Sequence, residues 1–215
     1  MMKTLIVITS LLLPATLLAQ PSSQVAWTAE QLNFVKAGNP QQGQSLAQTC
    51  SACHGEKGIS STAAYPSLAG QLPTYIYKQL QDYSVGTRHN PMMEGIAKTL
   101  SKQDAANIAA WFGSQATAFT ASDTAVYEQA QALVNNGNRE RALPPCEVCH
   151  GSNGKGQKMD VPALAGQNAD YLSATLTAFK NGSRSNDIYS RMRGIAQLLT
   201  EQEITELGFY YQSLK

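Results

Sequence analysis

Charge is what this sequence has little of. Its 215 residues include 16 lysines and arginines against 15 aspartates and glutamates, together 14% of the chain. The balance holds in each half, so there is no basic stripe for nucleic acid. Past the leader described below, no stretch is apolar enough to span a bilayer, so no transmembrane segment is expected in the mature chain. A convincing run of β-branched residues is also missing. That removes the βαβ setting of a thioredoxin-like redox pair. Cysteine occurs only four times and histidine three times.

All four cysteines fall in two pentapeptides, Cys50-Ser51-Ala52-Cys53-His54 and Cys146-Glu147-Val148-Cys149-His150. Each reads C-x-x-C-H, the attachment signature of a c-type haem. Two thiols three positions apart can reach the two vinyl groups of one porphyrin and form thioethers. The adjacent histidine is then held where its imidazole can bind the iron. A zinc site built from both pairs would leave His54 and His150 unexplained. The motif occurs twice, each time followed by glycine (Gly55, Gly151), and no thiol is left for disulfides or catalysis. The chain is therefore expected to carry two covalently bound haem c groups on Cys50, Cys53, Cys146 and Cys149.

The N-terminus agrees with export. Lys3 is a short positive region, Leu5 to Leu18 an apolar one, and Leu17-Leu18-Ala19 offers a small residue for cleavage. Residues 1–19 are expected to be a signal peptide that directs the protein to the periplasm. The remainder suits two domains of about 95 residues each. Domains that small bury modest cores, which the apolar haem faces would enlarge.

Laying one half on the other reveals an internal repeat. Cys146 follows Cys50 by 96 positions, and at that offset Pro66-Ser67-Leu68-Ala69-Gly70-Gln71 meets Pro162-Ala163-Leu164-Ala165-Gly166-Gln167. Tyr75, Gly86 and Arg88 likewise meet Tyr171, Gly182 and Arg184. Met93-Glu94-Gly95-Ile96-Ala97 meets Met192-Arg193-Gly194-Ile195-Ala196 at an offset of 99, so three residues are inserted before the second methionine. Ile76, Leu80 and Tyr83, and again Leu172, Leu176 and Phe179, form helical stripes. Pro73 suits a helix start, and Gly86 and Gly182 suit helix stops. Ser101-x-x-Asp104 and Thr200-x-x-Glu203 resemble capping boxes opening two closing helices. The division expected is an extension at 20–39 with a helix of its own, a first domain at 40–115, a second at 116–215, and a linker at about 113–123.

The repeat also selects axial ligands opposite His54 and His150. Met93 and Met192 share a five-residue context in loop-like stretches, with Met92 as the alternative to Met93. Met159 has no counterpart in the first half. His89, the spare histidine, aligns with Ser185 and reads as a surface residue. Pro66 and Pro162 each lie 12 residues after the haem histidine, where a carbonyl can hold the other ring nitrogen; the alternative is an ordinary loop proline. Arg88 and Arg184 read either as propionate contacts or as solvated arginines. Arg191 and Arg193 flank Met192, whereas Met92 and Glu94 flank Met93. Extra positive charge near the second haem would favour its reduction.

These features together resemble the dihaem cytochrome c4 family: two tandem class I cytochrome c domains, two M-x-G-I-A loops, P-x-L-A-G-Q segments and Gly-x-Arg turns. The resemblance covers the mature chain except its first twenty or so residues. It implies an all-α fold of two repeated domains, each wrapping one His/Met haem, packed about a pseudo-twofold with propionate edges facing. It also implies an electron carrier between redox protein partners. On one side would stand a periplasmic dehydrogenase, and on the other a membrane respiratory complex or terminal oxidase. The alternatives are a dihaem enzyme of peroxidase or thiosulfate dehydrogenase type, which needs an open iron position, or an electron-transfer subunit of a larger dehydrogenase complex.

Overall fold

The computed structural model describes residues 22–117, 127–157 and 159–214. The leader at 1–19 and residues 118–123 of the expected linker lie outside the described residues. Among the described residues the regular elements are helical, apart from isolated bridges between Asn138 and Leu143 and between Gln157 and Val161. The fold is all-α, as expected.

In the first half, α1 (Ala29–Lys36) starts where the Thr28 side chain accepts from Gln31 N. Asn39 caps α2 (Pro40–Leu46) in the same way, with Pro40 in the first turn. A short 3-10 turn, Ala47–Cys50, leads into α3 (Ser51–His54). Then follow α4 (Pro73–Ser84), α5 (Pro91–Ala97) and α6 (Lys102–Gly113). The second half has α7 (Glu128–Asn136), α8 (Glu147–His150), α9 (Ala169–Lys180), α10 (Arg191–Gln197) and α11 (Glu201–Ser213). Both closing helices open on complete capping boxes, Ser101 with Asp104 and Thr200 with Glu203. Gly113 is the last residue of α6, so that helix enters the segment expected as linker.

One expectation changes. Met93 and Met192 sit on the short helices α5 and α10, not in loops. Asn90 accepts from Met93 N and Pro91 occupies the first turn, which is enough to start α5. Ahead of α10 the chain takes a harder route: Tyr189 and Ser190 both have left-handed φ, 57° and 56°, at the three-residue insertion. The extension does hold its own helix. Among the described residues ahead of each motif, the first half brings both α1 and α2 against α6, and the second brings α7 against α11.

Each half has its own core. Val35, Ile76, Tyr77, Leu80, Ala105, Ala106, Ala109 and Phe112 pack in the first, and Leu133, Val134, Leu172, Ile204, Leu207 and Tyr211 in the second. Each large apolar side chain buried contributes about 1.5–3 kcal/mol. Alanines on α6 keep its surface low. Gly43 on α2 then lies so close that any Cβ would collide with the Asn107 carbonyl.

Reciprocal hydrogen bonds dock the halves. Gln71 donates from Nε2 to Ala163 O at 2.9 Å and accepts from Ala163 N at 2.9 Å. Gln167 does the same with Ser67, at 2.9 and 2.8 Å. Both glutamines also accept at Oε1 from the following residue, Leu72 N and Asn168 N. One repeated side chain thus orders the entry to its own helix and reads the backbone of the other half, as a pseudo-twofold requires.

Candidate functional site

The two C-x-x-C-H motifs open onto one continuous cavity of about 630 Å³ between the halves. It is lined by Cys50, Cys53 and His54 from one side and by Cys146, Cys149 and His150 from the other. Met92, Met93 and Met192 line it as well. The short helices α3 and α8 explain the grouping, since residues three and four apart share a helix face. Gly55 and Gly151 follow the histidines with φ of 80° and 77°. That left-handed step turns the chain away, and a side chain at Gly55 would strike the Ile59 backbone.

Both histidines are buried. His54 Nδ1 lies 2.8 Å from Pro66 O, and His150 Nδ1 lies 3.0 Å from Pro162 O. A carbonyl only accepts, so Nδ1 must donate, which leaves the Nε2 lone pair free. Burial lowers the pKa of both rings, against a smaller opposing effect of those carbonyls. The pocket therefore favours neutral imidazoles, the form that binds a metal. All four cysteines are free. Burial raises the Cys50 thiol and pushes Cys146 up to about 11. Neither of these two buried sulfurs is favoured as a thiolate.

The sulfur candidates separate by position. Met93 packs against the first core and Met192 is half-buried on the cavity. Met92 is 54% exposed although it reaches the rim. Met159 is exposed and off the cavity. His89 points outward, 3.4 Å from Glu94.

Arg88 and Arg184 are both 8% exposed, which rules out solvated arginines. They form the centre of a buried network between the halves. Arg88 donates to Gln79 Oε1 at 2.8 Å and to the Tyr171 hydroxyl at 3.0 Å. Arg184 donates to the Tyr75 hydroxyl and to Gln79 Oε1, both at 3.1 Å. Each guanidinium also covers an aromatic ring, Tyr83 at 4.6 Å and Phe179 at 4.4 Å. Burial would raise the Tyr171 hydroxyl, but Arg88 and Arg184 outweigh it and bring it down to about 8. Lys78 Nζ donates to Asp82 at 2.5 Å and to Asn186 O at 2.7 Å. Lys78, Arg88 and Arg184 thus gather three buried cations here, with the carboxylate of Asp82 bonded to Lys78 and that of Asp160 also acting on it. Such a cluster suits anionic groups at the cavity, as the propionates of a porphyrin would be.

The charge expected around Met192 is largely offset. Arg193 pairs with Asp187 at 2.8 Å and Arg191 with Asp160 at 3.4 Å. Much of this interface has a sequence signal: Tyr75 with Tyr171 and Gln71 with Gln167 are repeat pairs. Lys78 and Asp82 have no such signal, because alanines (Ala174, Ala178) stand at their repeat positions.

Donor set, cavity and buried cations all fit a pair of covalent haems. Comparison with known proteins agrees. The cytochrome c family profile matches residues 40–116 and 128–215. Cytochrome c4 of Thiocapsa roseopersicina is 38% identical over 182 residues, covering 83% of this chain and 94% of that protein. A thiosulfate dehydrogenase electron acceptor of Stutzerimonas stutzeri (strain A1501) is 36% identical over 176 residues, 78% of this chain and 80% of that one. The crystal structure of reduced recombinant cytochrome c4 from Pseudomonas stutzeri superposes with a TM-score of 0.80 at 37% identity, covering 83% of this chain and all of that one. The chain belongs to the dihaem cytochrome c4 family, an electron-transfer protein of two tandem cytochrome c domains that each bind a covalently attached haem c.

Proposed function

We propose that this protein is an exported periplasmic carrier that passes electrons between respiratory partners, towards a terminal oxidase. In this reading residues 1–19 are removed, 40–115 and 116–215 are the two domains, and 20–39 is an N-terminal extension. Cys50, Cys53, Cys146 and Cys149 form the thioethers. His54 with Met93 and His150 with Met192 would bind the two irons. Arg88 and Arg184 receive propionates. When bound, each haem c supplies an iron that alternates between ferric and ferrous.

The residues perform the rest. Pro66 and Pro162 hold the imidazoles in one orientation and increase their basicity. Met93 and Met192 close the positions that a substrate would need, and their soft sulfur favours the ferrous state. The observation carrying the proposal is the single cavity shared by both sets of ligands.

Purified holoprotein, titrated electrochemically with optical spectra of both oxidation states, should show two reversible one-electron components. The reduced protein should not bind carbon monoxide near neutral pH. A ligand that must first displace methionine is weakened by the fraction of open sites. Stoichiometric carbon monoxide binding would overturn the carrier reading in favour of a dihaem enzyme.

The relatives named thiosulfate dehydrogenase electron acceptors favour a particular donor class, a periplasmic dehydrogenase acting on reduced sulfur compounds. Stopped-flow mixing with a reduced thiosulfate dehydrogenase should then reduce this protein within the enzyme's turnover time. Absence of transfer would remove that donor.

A further inference from the structure

The internal repeat supplies a matched pair of aromatic rings whose difference is one hydroxyl. Phe112 on α6 and Tyr211 on α11 are equivalent by the offset of 99. They also occupy equivalent places. Phe112 O accepts from Gly70 N at 2.9 Å, and Tyr211 O accepts from Gly166 N at 2.8 Å. A Cβ at Gly58 would touch the Phe112 ring, and one at Gly154 the Tyr211 ring. Both rings line the cavity and both are buried, at 0% and 4% exposure. Among the described residues the Tyr211 hydroxyl has no nitrogen or oxygen hydrogen-bond partner. A buried phenol rarely stays unpaired, because losing water without a replacement is costly.

Cys146 lies beside that hydroxyl, close enough for each group to affect the other's proton affinity. Its thiol currently points towards Leu133 O, 3.9 Å away. Thioether formation adds S–H across a vinyl double bond. The sulfur bonds to one carbon and the hydrogen goes to the other, which leaves a sulfur that only accepts. Burial also holds Tyr211 well above the usual phenol pKa, so it keeps its proton to donate. Thr49 stands near Cys50 in the first half, but its hydroxyl already donates to Leu46 O at 3.2 Å.

We propose that Tyr211 is a positioning residue for the second redox centre: its hydroxyl donates to the thioether sulfur of Cys146 and raises that centre's reduction potential, an effect the first centre lacks because Phe112 stands there. A donor to the attached sulfur withdraws electron density and so favours the reduced state. This rests on the dihaem electron-transfer reading. That reading stands or falls separately, on whether the wild-type protein titrates reversibly as two components.

The test is a redox titration of full-length holoproteins: wild type, Tyr211→Phe and Phe112→Tyr. Tyr211→Phe should lower the reduced-to-oxidised ratio of one component about fivefold at fixed potential. At about 59 mV per tenfold change, that is a shift of roughly 40 mV. The other component should not move. Phe112→Tyr should raise that other component, the gain-of-function arm that a merely structural role would not produce. Resonance Raman should show a changed carbon–sulfur stretch in Tyr211→Phe. If Tyr211→Phe leaves both components in place, or moves both equally, the proposal is wrong. Should Tyr211→Phe fail to mature, an unchanged potential in Phe112→Tyr would also overturn it.

Discussion

At the scale of single residues, the structure separates neighbouring side chains that the sequence offers as choice and alternative. Met92 and Met93 are neighbours, yet the α5 helix turns them apart by about 100°, as its 3.6 residues per turn dictate. Met93 falls against the core and Met92 towards water. Met93→Ala and Met192→Ala should each remove about half of the sulfur-to-iron charge-transfer absorption of the oxidised protein and open one iron to added ligands. Met92→Ala should leave the band intact; a halved band in that variant would reverse the assignment. The cysteines and histidines were legible outright, because their spacing is itself the chemistry. Arg88 and Arg184 were legible only as a pair. Whether they met solvent or the interior depended on Gln79, Tyr75 and Tyr171 arriving from elsewhere in the fold.

Among the elements, the closing helix α11 has a tether that its sequence half announces. The Thr200–Glu203 capping box could be read directly, but its partner could not. Arg141, in the connection between α7 and the second motif, donates to Glu203 at 2.6 and 2.9 Å and to Leu198 O at 2.9 Å. The hydrogen bond from Arg141 is the main cause that brings the Glu203 pKa down to about 2. A carboxylate with a lower pKa folded than unfolded stabilises the fold above its unfolded value. It loses that contribution as pH falls through the folded value. The stability from this pair should therefore be full at neutral pH and disappear between about pH 4.5 and about pH 2. Because the pair is partly exposed, solvent screening keeps its contribution small. Glu203→Gln should lower the thermal midpoint at pH 7 and narrow the gap to wild type as pH approaches 2; a gap independent of pH would mean that packing, not charge, carries the effect. Periodicity gave the stripes of α4 and α9 for the same reason that it missed α5 and α10. Seven residues hold two turns, too few for a pattern, and their start depends on a cap and a proline.

For the whole molecule, the duplicated halves are symmetric where they dock and asymmetric at the buried Lys78–Asp82 pair. Gln71 and Gln167 obey the repeat. Lys78 and Asp82 do not, and nothing in a one-dimensional comparison could show that Asn186 and Ser23 converge on them. Asp82 is fully buried and its two oxygens take hydrogen bonds from Lys78, Asn186, Ser23 and Thr87. It thereby joins the extension, α4 and the second half. Burial lowers the Lys78 pKa while Asp82 opposes that, so the ammonium depends on its partner to stay charged. Removing one member of a buried ion pair costs about 3–5 kcal/mol, because the other is left uncompensated, whereas replacing both by apolar groups can be nearly neutral. Asp82→Ala should therefore lower the thermal midpoint strongly and loosen the second half and the extension together, visible as faster amide exchange in both. The double variant Lys78→Met with Asp82→Leu should recover most of the midpoint. It should not restore the slow exchange around Ser23 and Asn186, whose partners are gone. If the double variant is as unstable as Asp82→Ala alone, the loss comes from the hydrogen bonds of Ser23 and Asn186 and not from the stranded lysine.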